Sequence, residues 1–149
     1  MAQKLSTWDR RFLMMGRTIA RWSKDPRSKV GAVIADQRNR IVSLGYNGFA
    51  RGVSDTLARL EDRDVKHRII IHAEENALLF ADRSSLQLCS IYTWPFAPCA
   101  HCASLIIQSG ISRVIAMKPW RRAGGFRHDA RLVKEMYEEA GVEYIIGDR

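Results

Sequence analysis

Two short segments hold the residue types from which a reactive centre could be built: His72-Ala73-Glu74 and Pro98-Cys99-Ala100-His101-Cys102. Cysteines three positions apart fall on the same first turn of a helix, so one ion can reach both sulfurs. The positive end of the helix dipole at that position favours their thiolate forms. The His72 imidazole brings the set to three, the number of protein ligands a catalytic zinc takes when its fourth position is left to water. Zinc lowers the pKa of such a water toward ~7, and Glu74 on the turn that follows His72 can carry its proton without being a ligand. The chemistry this suits is hydrolytic attack on an amidine-like ring carbon, with a proton passed to the ring nitrogen and then to a leaving amine. Glu74 should then matter more for turnover than for metal content. Cys99-Ala100-His101-Cys102 by itself fits a redox dithiol as well as a metal site, and it is the His-Ala-Glu segment that turns the reading to zinc. His101, between the two cysteines, is expected to point away. Cys89, in an apolar run, is expected to be buried filling.

These side chains need elements to hold them. Trp8, Phe12, Met15, Ile19 and Trp22 recur at helical spacing and predict a first helix whose stripe packs on a sheet. Asp25-Pro26 ends it, because the residue before proline is pushed out of the helical region. Residues 30–35 and 41–46 are short β-rich runs about a polar stretch, which predicts an antiparallel hairpin. Asn47 to Lys66 predicts a long, partly helical loop, a kind of segment that is often functional. Beyond it, helices from His72 to Ala81, Cys99 to Gln108 and Asp129 to Ala140 alternate with strands at 89–94, 113–117 and 142–146. Such alternation predicts a three-layer α/β/α sandwich around a central mixed five-stranded sheet. Both cysteine and histidine segments fall at helix starts.

With 149 residues, 46% hydrophobic and 27% charged, the chain has the size and composition of one domain, 1–149, with no repeat or linker. Three cysteines fit no secreted disulfide framework. No apolar run approaches the ~18 residues of a membrane span, and the first residues lack the apolar core of a signal peptide. A cytoplasmic location with reduced thiols is therefore expected. The net charge of +8 is uneven, since residues 1–70 carry 15 basic and 7 acidic side chains. That asymmetry suggests an anionic partner or a solvated basic face.

The two segments together match the H-x-E followed by P-C-x-x-C signature of zinc deaminases. Four blocks in order resemble the deoxycytidylate (dCMP) deaminase family, within the cytidine deaminase-like fold: residues 23–32, Gly45-Tyr46-Asn47-Gly48, His72-Ala73-Glu74-Glu75-Asn76-Ala77, and 98–102 with the following 105–111. The resemblance implies hydrolytic deamination of dCMP to dUMP and ammonia, one Zn2+ per chain on His72, Cys99 and Cys102, and Glu74 as proton shuttle. It implies Asn47 on the sugar, plausible for an amide that both donates and accepts, and the backbone around Ala73 on the cytosine carbonyl edge. Ser23 and Lys24 are the candidates for the 5′-phosphate. Trp120 and Phe126, flanking Arg121 and Arg122, are candidates to cover the base or phosphate, or to form an interface. Regulated members bind dCTP as activator and dTTP as inhibitor, which would bring Mg2+ with the triphosphate. A homo-oligomer, a hexamer or smaller ring, is also implied. Kept beside this reading are a modified cytosine nucleotide, a nucleoside or a tRNA adenosine as substrate, and a non-enzymatic zinc or redox module. The basic excess precedes the nucleotide-like blocks and forms no extended tail, which favours a small nucleotide over nucleic acid.

Overall fold

The computed structural model describes residues 4–118 and 129–148. The first helix, α1, spans Thr7–Ala20. Ser6 caps it: its hydroxyl accepts from Asp9 N at 3.0 Å, and the Asp9 carboxylate accepts from Ser6 N at 2.9 Å. This reciprocal pair satisfies two backbone donors that a helix start otherwise leaves open. The buried face consists of Phe12, Leu13, Gly16, Ile19 and Ala20, while Trp8 and Trp22 are 43% and 58% exposed. The predicted stripe is thus turned toward smaller residues. The reason is close packing, since a Cβ on Gly31 would stand 2.1 Å from the Gly16 carbonyl oxygen. Backbone meets backbone there, and the tryptophans move to the rim, where Trp8 stacks on Phe12 and Trp22 meets Tyr46 edge-on.

The strands are β1 (Gly31–Ala35), β2 (Ile41–Tyr46), β3 (Gly48–Phe49), β4 (Ile70–Ile71), β5 (Ser90–Trp94), β6 (Arg113–Met117) and β7 (Glu143–Gly147). The further helices are α2 (Leu57–Glu61), α3 (Arg63–Ile69), α4 (Ala73–Leu79), α5 (Ala100–Gln108) and α6 (Ala130–Glu139). The main sheet runs β2-β1-β5-β6-β7, antiparallel at β1–β2 and β1–β5 and parallel at β5–β6 and β6–β7. This is the mixed five-stranded sheet that the sequence predicts. The segment from Asn47 to Lys66, read as a partly helical loop, also carries β3, which pairs with β4 just beyond it in a small two-stranded sheet.

Side chains alternate across the sheet as a pleated strand requires. Val33, Ala35, Tyr92 and Ile115 join Phe12 and Leu13 in the core beneath α1. Ala32, Ile34, Ile91 and Val114 face the opposite core, with Ala77 of α4, Ile106 of α5 and Tyr137 of α6. Register then decides where the chemistry lies. Tyr46 and Trp94 both pair with Gly31, so the C-terminal ends of β2 and β5 share one edge of the sheet. The loops leaving that edge carry Asn47 and Cys99.

Candidate metal centre and active site

His72 is the N-cap of α4 and Cys99 the N-cap of α5, both in extended backbone. Two helix starts therefore meet at the sheet edge. What brings α4 there is Gly45 on β2, where a Cβ would lie 2.3 Å from the Ala73 carbonyl oxygen and 2.4 Å from Ala77 N. Only a residue without a side chain allows so close a crossing. The turn at His72 is closed by Glu75, whose carboxylate accepts from His72 N at 2.7 Å.

His72 Nδ1 lies 3.3 Å from Cys102 Sγ and 3.6 Å from Cys99 Sγ. The three ligand atoms fall within 4.8 Å of one another. A tetrahedral zinc with bonds of about 2.3 Å to sulfur and 2.0 Å to nitrogen separates neighbouring S and N atoms by about 3.5 Å. The donor set fits that ion in both type and spacing. His101 is 70% exposed at its side chain and faces Glu75 at 3.2 Å, away from the two sulfurs. Cys89 is buried, as expected.

The protons on this cluster are strongly displaced. Its hydrogen bonds with Cys102 and His72 hold the Cys99 thiol down at about 3, as a thiolate. The Cys99 hydrogen bond and the acids Glu74 and Glu75 raise His72 to about 9. Cys102, donating to the Cys99 thiolate and fully buried, is pushed up. Glu74 is 4% exposed, and burial raises its carboxyl to about 7. A carboxylate near neutrality can both take and give a proton at physiological pH.

One cavity, of about 120 Å³, contains His72, Ala73, Glu74, Cys99 and Asn47 together. The structure thus joins the metal-type ligands, the acid and two of the four substrate candidates. It does not bring the other two there. Ser23 is buried, donating from its hydroxyl to the Asn47 carbonyl oxygen at 2.9 Å. Lys24 points outward, 71% exposed at its side chain and paired with Asp55 at 2.7 Å. Neither lines the cavity, so the phosphate role expected of them is not supported by their positions. The reason is the chain turn after α1, which sends the Ser23 hydroxyl inward to brace the Asn47 backbone and the Lys24 side chain outward. Trp120, Arg121, Arg122 and Phe126 lie outside the described residues.

Asn47 is committed on both sides of its amide, accepting from Val30 N at 2.9 Å and donating to Ser28 O at 2.7 Å. Two further cavity residues went unread in the sequence, Asp25 and Lys66, which form a buried ion pair at 3.1 Å. Asp25 signals only a helix end before proline, and Lys66 stands among the mixed charges of a loop.

Residues 6–118 match the family model of the cytidine and deoxycytidylate deaminase zinc-binding region. The chain belongs to this family of zinc-binding deaminases. Among its relatives, an uncharacterized deaminase in the luxG 3′ region of Aliivibrio fischeri is 43% identical over 140 residues, 93% of this chain and 92% of that protein. The deoxycytidylate deaminase of Homo sapiens is 38% identical over 142 residues, 92% of this chain and 78% of that protein. In fold, the dCMP deaminase of cyanophage S-TIM5 in complex with dCMP and dUMP superposes with a TM-score of 0.74 at 20% identity, over 97% of this chain and 100% of that one. No described helix is long and apolar enough to cross a membrane.

Proposed function

We propose that this protein is a zinc-dependent dCMP deaminase that converts dCMP to dUMP and ammonia, acting as a single domain in the cytoplasm. The observation that carries the reading is the convergence of His72 Nδ1, Cys99 Sγ and Cys102 Sγ within 4.8 Å, beside a cavity lined by His72, Cys99 and the buried Glu74. Kinship with the human deoxycytidylate deaminase over 92% of the chain supports the nucleotide.

His72, Cys99 and Cys102 would hold the ion, which when bound makes water a usable nucleophile at neutral pH. Glu74, in its carboxylate form, would take a proton from the attacking water and give it to ring nitrogen N3. It would then take the proton of the hydroxyl added at C4 and pass it to the exocyclic amine. A C–O bond forms at C4, the C–N bond breaks, and ammonia leaves. Burial of Glu74 keeps its proton affinity high enough for donation and low enough for uptake. The Ala73 backbone at the cavity wall is assigned to the cytosine carbonyl edge and Asn47 to the sugar.

The reading includes a homo-oligomer, a hexamer or smaller ring, for which the exposed Ile69, Leu79, Phe80 and Leu105 offer apolar surface. It also includes dCTP or dTTP as effectors, with Mg2+ accompanying the triphosphate. The test is chromatographic detection of dUMP from dCMP with zinc-loaded protein, with Glu74→Ala purified alongside. Product from the wild type alone bears the reading out; none from either, with zinc bound, overturns dCMP as substrate.

A further inference from the structure

Lys66, on α3, is only 7% exposed, and its Nζ lies 3.2 Å and 3.1 Å from the two carboxylate oxygens of Asp25. Asp25 is 2% exposed and accepts from Arg27 N at 2.9 Å and from Ser28 N at 3.1 Å. Ser28 in turn receives the Asn47 amide. One connected set of hydrogen bonds therefore runs from Lys66 through Asp25 and the 25–28 turn to Asn47. Lys66, Asp25, Ser28 and Asn47 all line the cavity that contains His72 and Glu74.

Two facts give this set a meaning beyond packing. An ammonium carries three N–H donors, and among the described residues the Asp25 carboxylate is the sole hydrogen-bond partner of the Lys66 ammonium. At least one donor therefore remains for whatever fills the cavity. A buried ion pair is in any case a poor source of stability, because desolvation of the two charges consumes most of their attraction. Asn47, by contrast, has spent one donor and one acceptor on the backbone of residues 28 and 30, so it has less to offer a ligand than its composition suggests. Lys24, for its part, is on the surface with Asp55.

We propose that Lys66, held by Asp25, donates a hydrogen bond to an oxygen of the sugar–phosphate portion of the bound nucleotide, and that the Asp25–Lys66 pair is the specificity element of this cavity. The assignment rests on the deaminase reading above. Of the polar residues lining the cavity, His72, Glu74 and Cys99 belong to the candidate metal centre, while Asp25, Ser28, Asn47 and Lys66 belong to the hydrogen-bonded set. A nucleotide with its ring at the first group has its sugar and phosphate oxygens left for the second.

The experiment compares Lys66→Met with wild type, both zinc-loaded, on three substrates: dCMP, deoxycytidine, which lacks the phosphate, and 2′,3′-dideoxycytidine monophosphate, which lacks the 3′-hydroxyl. Loss of a charged donor should raise KM for dCMP roughly 10- to 100-fold, with kcat much less affected and zinc content unchanged. The penalty should vanish on the substrate that lacks the partner oxygen, which also says whether that oxygen belongs to phosphate or sugar. Lys66→Arg should recover much of the KM. Because Lys66→Met leaves Asp25 buried and unpaired, the Asp25→Asn, Lys66→Met double variant repeats the comparison with no stranded charge. An equal penalty on all three substrates, or an unchanged KM for dCMP, overturns the assignment while leaving the deaminase reading standing. A zinc-loaded wild type that deaminates none of the three overturns that reading, and the Lys66 assignment with it.

Discussion

Cys102 Sγ lies 3.3 Å from His72 Nδ1, across thirty residues of chain. Neither residue could reach the other from an isolated helix. Their meeting depends on α4 crossing β2 at Gly45 and on α5 leaving the C-terminal end of β5, so the centre is only as sound as those two packings.

Gly45→Ala is accordingly expected to damage the site from a distance. The added Cβ would fall on backbone atoms of Ala73 and Ala77, which cannot swing away as a side chain would. The expected cost is about 1–3 kcal/mol or more of stability, with zinc content falling too. Urea denaturation and metal analysis of the purified variant check both.

Glu74→Gln should separate chemistry from metal binding. Turnover is expected to fall about 10²- to 10⁴-fold, the usual weight of general acid–base catalysis. Zinc should stay near one per chain. Loss of zinc in step with activity would show that Glu74 supports the metal and does not carry the proton.

Cys102→Ala removes a proposed ligand that is completely buried. Zinc bound per chain is expected to fall well below one, and the melting temperature should become insensitive to a chelator that destabilises the wild type. Calorimetry with and without the chelator reads this out.

Lys24→Ala tests the surface position of that side chain. Its partner Asp55 is solvent-accessible, and exposed pairs contribute little. KM for dCMP is expected to stay within about twofold of wild type, in contrast to the Lys66 variant.

Asp9 gives the fold a dependence on acid. Burial alone would raise its carboxyl, but the Ser6 hydrogen bonds, the Arg113 charge and the Tyr92 hydroxyl at 3.1 Å together hold it below its usual 3.8. A carboxylate depressed by folding contributes stability above the unfolded value, and that contribution is lost as pH falls through the folded one. Asp9→Asn should therefore cost about 1–3 kcal/mol near neutrality, and the gap to wild type should narrow below pH 3.8. Urea unfolding at pH 7 and near pH 3 provides the comparison.

The sheet strands were legible because apolar runs at 30–35, 89–94 and 113–117 need burial on both faces, and the metal-type residues because Cys-x-x-Cys and His-x-Glu are local spacings. A helix presents such residues together whatever it packs against. The two-residue strands β3 and β4 were not legible, being too short for any periodicity to register. Nor was the true buried stripe of α1, since aromatic spacing outweighs Gly16 in the sequence, yet it is Gly16 that lets the helix backbone approach Gly31.

Residue types and short spacings by themselves thus pointed to the class of chemistry proposed here, a three-ligand metal with an adjacent acid, and to the alternating pattern that houses it. Tertiary structure alone decided which polar residues share the cavity. Asp25 and Lys66 are 41 residues apart and carry no mutual spacing, while Lys24, next to Asp25 in the chain, ends on the opposite side of the same turn. Adjacent residues on a turn point in different directions, and distant ones meet only when the sheet register brings their loops to one edge.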